Sequence, residues 1–166
     1  EALEQAVGDG RATCGRVTGW ENRWFGRNLV NESPNGVSAR YRAGLEAAET
    51  MTHDAYRAAV NVRAAAQVHH RAVAPVADAV ISLACPGPAT PWSGDVPGEP
   101  QLPCPTGDFV FNAPSSMLFA PVVTMPLLGV GGLPVGIQVM GQREEDARMT
   151  AIARWILETV TPVVVG

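Results

Sequence analysis

The hydrophobic positions of this chain change rhythm near its middle. Up to about residue 73 they recur at helical spacing, and beyond it they gather into short continuous runs bounded by proline and glycine. Glu1–Val7 (EALEQAV) consists of good helix formers. Gly8, Asp9 and Gly10 form a turn signal. From Arg11 to Val30, the residues Val17, Trp20, Trp24, Phe25 and Leu29 fall near helical spacing, although Gly15, Gly19 and Gly26 weaken that helix. Asn31–Gly36 reads as a loop, and a helix follows over Ser38–Met51. Thr52 is placed to cap the next helix, which runs to about Val73 with Tyr56, Ala59, Val60, Val62, Ala66 and Val73 on its apolar side.

In the second half, Pro121–Pro126 and Pro134–Gly141 carry the β-branched residues Val122, Val123, Thr124, Val135, Ile137 and Val139, so both read as strands. Gly129–Gly132 reads as their connection, and such unbroken apolar runs suit strands buried on both faces. Phe109–Leu118, with Asn112, Ser115 and Ser116, predicts a loop and a short helix leading into the sheet. Cys85–Pro105 is rich in proline, glycine and acid, lacks periodicity, and reads as a loop. Glu144–Thr159 predicts an acidic-ended helix with a buried stripe of Met149, Ile152, Ala153, Ile156 and Leu157. Pro162 ends it, leaving Val163–Val165 as an apolar tail.

Composition narrows the function classes. At 166 residues, 46% hydrophobic and 17% charged, the chain is long and apolar enough for one globular domain. A net charge of −4 argues against general nucleic-acid binding. No apolar run is long enough to span a bilayer as a helix, and no signal-peptide pattern opens the chain. It starts without Met on a sequence that reads as helix interior, which favours a piece of a longer chain, a processed subunit or a trimmed form. Cys14, Cys85 and Cys104 lack metal-ligand spacing, and their odd number argues against a disulfide framework; Cys85 and Cys104 flank one loop and either pair or stay idle. A cytoplasmic setting and no cofactor are expected.

Other chemistry-bearing residues carry bland readings. His69 and His70 are adjacent on a helix, point to different faces and make no metal pair, with surface or partial burial expected for both. Ser115 and Ser116 lack a GxSxG elbow and read as cap or core-edge hydroxyls. Gly129–Gly132 matches neither GxGxxG nor a phosphate loop. All twelve basic residues are arginine, which holds its proton too tightly to act as a base.

The order of motifs TGD, FNAPSSMLFAP, VVTMP, GLPVGIQVMG and EEDAR, from Thr106 to Arg148, resembles the C-terminal part of the amidase signature family, hydrolases of carbon–nitrogen bonds, mostly amides. Phe119 stands where that family usually has glycine, and a bulky side chain there would alter backbone approach or narrow a pocket. The resemblance implies an α/β fold, a mixed β-sheet flanked by helices, of which only the C-terminal portion is present: residues 1–73 mainly helical, 74–166 strands, Pro-rich loop and terminal helix. Val80–Leu83 would be a buried strand, with Asp78 ordering the junction before it.

The family's Ser–Ser–Lys triad belongs to an N-terminal Gly/Ser-rich segment, and this chain has neither that segment nor a lysine, so it contributes no catalytic residue. The resemblance instead implies substrate-binding roles for Arg40, Thr106, Asp108 and Asn112. Arg40 is either a bidentate ligand for a substrate carboxylate, with Arg42 as substitute, or a solvated helix arginine. Asp108 either contacts substrate or holds an Asx-turn. Glu21, frequent on the family's long helix, is expected to pair with an arginine, and Trp92 either lines the pocket or covers the core. Expected partners are an amide substrate and an N-terminal catalytic part, on the same gene product or on a partner chain, with homo-oligomerisation as a further option; nucleic acid and membrane are not expected. The rival to this enzymatic reading is a non-catalytic amidase-like binding or assembly module; an unrelated α/β domain is a third.

Overall fold

Four helices fill the first half of the chain and a four-stranded sheet the second, and one face of that sheet packs on helical residues that include Val7, Cys14 and Ala66. The structure, a computed structural model, describes residues 1–91 and 107–166. Helices α1 (Ala2–Val7), α2 (Gly10–Glu32), α3 (Ala39–Thr50) and α4 (His53–Arg71) precede strand β1 (Val80–Leu83). Then come α5 (Ala113–Leu118), β2 (Val122–Val130), β3 (Leu133–Met140), α6 (Asp146–Thr159) and β4 (Val163–Val165). The predicted cap forms, the Thr52 hydroxyl accepting from the Ala55 N–H at 3.1 Å, and Ser38, expected as the first residue of its helix, caps α3 by accepting from the Tyr41 N–H at 3.2 Å.

The sheet runs in the order β1-β3-β2-β4 and is mixed. The β1–β3 and β2–β3 pairs are antiparallel, and β4 lies parallel to the end of β2. Residue parity sorts its two faces. Val123, Met125, Leu127, Ile137 and Val139 pack with Met149, Ile152, Ala153 and Ile156 of α6. Val80, Val122 and Met140 face the other way, onto Ala66 of α4 and Met117 and Leu118 of α5.

Several sequence expectations are corrected. Strand β2 does not stop at Pro126: it continues through a register shift between Met125 and Leu128. A bulge is where a strand tolerates a residue without an N–H. The connection shrinks to Gly131 and Gly132, whose φ values of 56° and 77° suit a tight hairpin turn. Val163–Val165 is not a tail but β4. Strand β1 is an edge strand rather than a buried one, and its Ile81 is 62% exposed. Helix α4 ends at Arg71, short of Val73, and Leu157 leaves the buried stripe of α6. In α2 the packed face is made of Gly10, Thr13, Val17 and Gly26, while Trp24 and Phe25 are exposed.

Candidate functional site

The turn before α5 is the best-organised polar structure outside the helices. Asp108 holds it in two ways. One carboxylate oxygen accepts the Val110 N–H at 2.9 Å, making the Asx-turn, and the other takes Nη1 of Arg11 at 2.9 Å. The Arg11 guanidinium also lies 5.1 Å from the Phe109 ring centroid. The Phe109 carbonyl accepts from the backbone N–H groups of Asn112, at 3.0 Å, and Ala113, at 2.8 Å. From beneath, Gln138 of β3 donates through Nε2 to the Phe111 carbonyl at 2.8 Å and to the Ser82 hydroxyl at 2.9 Å. Helix α2 comes very close here, since a Cβ on Gly10 would lie 2.7 Å from Pro114 Cγ. The turn is thus braced by α2 and by the sheet.

A cleft of about 590 Å³ opens beside it, walled by α2 and the C-terminal half of α3, with Phe109 closing one end. Its floor is small and apolar (Ala12, Gly15, Gly19, Gly44, Ala47, Ala48), and Asp9, Arg11 and Arg16 supply the polar groups. These residues can bind and orient a ligand. Neither guanidinium can serve as a base, because it keeps its proton, which leaves Asp9 as the one carboxylate among the lining residues.

Three of the four sequence-predicted site residues are among the described residues. Asp108 and Asn112 share the turn, with Asn112 exposed at its end. Arg40 is half-buried in the first turn of α3, a region that packs on α2 near Gly26, as the Tyr41 hydroxyl 3.0 Å from a Cβ built there shows. Arg11 and Gly26 stand about 22 Å apart along α2 at 1.5 Å per residue. The structure therefore does not bring Arg40 to Asp108. Arg42 lines a separate hollow with Arg27 and Glu49. Thr106, Trp92 and the Cys85–Cys104 pair involve residues outside those described.

Other expectations resolve as follows. The Ser115 hydroxyl donates to the Asn112 carbonyl at 2.8 Å, a helix-start contact. Glu21 accepts from the Tyr56 hydroxyl at 2.9 Å, a partner the sequence did not suggest, and Tyr56 stacks on Trp20 at 5.3 Å. That hydrogen bond, ahead of burial, raises the Tyr56 pKa. His70 is buried rather than superficial, and burial, followed by neighbouring Arg71, holds its pKa below the usual histidine range. Asp78, expected to order the junction before β1, pairs with Arg148 of α6, with its own side chain 81% exposed. Arg11 and Gln138 escaped sequence reasoning because their partners lie 97 and 27 residues away and no spacing signals them. Among the described residues no group of three or more His, Cys, Asp or Glu side chains is arranged to hold a metal ion, and no helix is long and apolar enough to cross a membrane.

No protein-family model matches the chain, and no curated protein matches it. Solved structures do. A crystal structure of an amidase aligns with 91% of this chain at 25% identity and a TM-score of 0.78, over 35% of its own length. A bacterial aryl acylamidase belonging to the amidase signature enzymes aligns with 92% at 14% identity and 0.72, over 34% of its length. One of the subunits of the glutamyl-tRNA(Gln) amidotransferase from Thermotoga maritima matches 95% at 19% identity and 0.56, over 39%. At 14% and 19% identity what is shared is the fold. In each case the chain spans little more than a third of the structure it matches.

Proposed function

We propose, for a chain whose fold is that of a part of the amidase signature enzymes, that it is the C-terminal, substrate-shaping portion of an amidase. The observation that carries the reading is the match of 91% of this chain to 35% of an amidase crystal structure. In the complete protein a serine attacks the amide carbonyl, an acyl-enzyme forms as the amine or ammonia leaves, and water releases the acid. Backbone N–H groups stabilise the oxyanion. The absence of lysine supports placing the Ser–Ser–Lys machinery outside this chain, on the same gene product or on a partner chain. A cytoplasmic setting belongs to the same reading.

In this reading the Asp108–Asn112 turn is the wall this chain presents to substrate, together with Thr106. Arg11 acts as the turn's brace. Arg40 serves a separate part of the substrate, or a neighbouring segment, because it lies at the other end of α2.

The test uses the native protein isolated with whatever accompanies it. A serine that reacts with a fluorophosphonate, in a species much larger than 17.5 kDa that hydrolyses amides, is the expected result. In that species Arg11→Ala raises KM for the amide by about threefold to tenfold while labelling persists, since it loosens a binding wall and leaves the nucleophile in place. A species of 17.5 kDa that neither labels nor hydrolyses would instead favour the binding or assembly module, which the absence of lysine also fits.

A further inference from the structure

At the opposite end of α4 from the Trp20–Tyr56 stack, that helix meets the β3–α6 connection. There a cavity of about 170 Å³ is lined by Gln67, His70, Arg71, Leu118, Gln142 and Arg143. Two of its six lining residues are arginines and none is acidic. Arg71 has no ion-pair partner among the described residues. Arg143 reaches Glu144 at 3.6 Å, but both side chains are more than two-thirds exposed, so that pair is weak and exchangeable. Nearby, the Phe119 ring lies 5.0 Å from the Arg63 guanidinium and 5.9 Å from that of Arg143.

The groups that would repel an anion are already engaged. Glu145 accepts from the Gln142 N–H at 3.0 Å and from Arg148 at 3.0 Å. Carbonyls at the end of a helix are its negative pole. Here Val68 accepts from the Ala72 N–H, Arg71 from the Ala74 N–H, and His70 from both the Val73 N–H and the Gln142 side chain.

We propose that this cavity is a binding site for a small oxyanion, held between the guanidinium groups of Arg71 and Arg143. Phosphate and carboxylate present the same chemistry to it, a compact set of oxygens matched to a guanidinium fork. His70 reports occupancy. It is 4% exposed and lines the cavity, and the charged groups acting on it are Arg71 and Glu145. With the cavity empty, burial and Arg71 disfavour its charged form; an anion beside it favours that form.

The experiment titrates inorganic phosphate into the intact protein, against sodium chloride of matched ionic strength, while histidine side-chain resonances are followed by NMR. The assignment of His70 comes from His70→Gln. The expected result is a saturable rise of about one pH unit in the titration midpoint of His70, accompanied by a rise in Tm. Arg71→Gln and Arg143→Gln each weaken apparent phosphate affinity at least about tenfold. His70→Gln keeps the phosphate-dependent rise in Tm, which separates loss of the reporter from loss of the site. If Arg71→Gln does not fold, Arg71→Lys, which keeps charge without the fork, binds phosphate measurably more weakly. Acetate in place of phosphate tells which oxyanion the cavity prefers. The proposal is overturned if chloride reproduces the shift, if neither oxyanion moves His70 saturably, or if the arginine variants bind phosphate as tightly as the parent.

Discussion

Gln138 is the residue on which the loop side of the molecule leans. It is buried, spends its amide N–H groups on Ser82 and on the Phe111 carbonyl, and leaves Oε1 without a partner among the described residues. Gln138→Leu strands those two groups, so a loss of about 1–3 kcal/mol is expected in urea unfolding, with faster proteolysis of the turn as the local sign. His70 makes a second prediction. Its folded pKa is depressed, whereas an unfolded histidine titrates near about 6.5. The unfolded chain therefore binds the proton more tightly, and stability declines as pH falls from about 6.5 through the lowered folded value. In His70→Gln that part of the decline disappears, as thermal melts taken between about pH 7 and pH 5 would show. Neither role is written in the local sequence. His70 and its neighbour His69 look alike in the sequence, and only the packing of α4 buries one of them.

Helices and strands were legible to different degrees. A helix is closed within its own segment, so Thr52 announced the start of α4 and Ser38 that of α3. Thr52→Ala is expected to lower stability by about 1 kcal/mol, with m unchanged in urea unfolding. Strands were harder, because a strand ends where its partner does. Pro126 looked like a terminator but sits in a bulge of β2. Val163–Val165 looked like a tail, having no pattern beyond three valines, and became β4 only because β2 lies beside it. The aromatic rhythm of α2 misled in another way: Trp24 and Phe25 stay exposed, and Arg27 lies 4.6 Å from the Trp24 ring. Small residues make the close contacts of that helix instead, as at Gly26 against Tyr41 and Leu45.

At the scale of the molecule the sheet is unevenly clothed. Helix α6 covers one face only in part, leaving an apolar groove of about 660 Å³ among Ile81, Leu127, Ile137, Trp155, Val160 and Val163. Trp155 and Ile81 are each 62% exposed. Contiguous exposed apolar surface is a common property of interaction sites. Under the proposed function, this is the face on which the remainder of an amidase-type fold, or a partner chain, would pack. The chain alone is expected to bind the dye ANS, and Trp155→Glu to lower the fluorescence enhancement by half or more; an unchanged signal would place the sticky surface elsewhere.

By itself the sequence determined the start of α3, the cap of α4, the apolar runs of β2 and β3, the acidic start of α6, and the order of motifs that resembles amidase signature enzymes. It also determined that no lysine is present to serve as a base. These are properties of one residue or one short segment, where local sterics and hydrogen bonding decide. The tertiary structure alone decided that β1 is an edge, that β4 exists, that Arg11 braces Asp108 while Arg40 lies far from it, and that His70 lines a cavity with two arginines. Those facts depend on which segments meet across tens of residues, and no local periodicity encodes such a meeting.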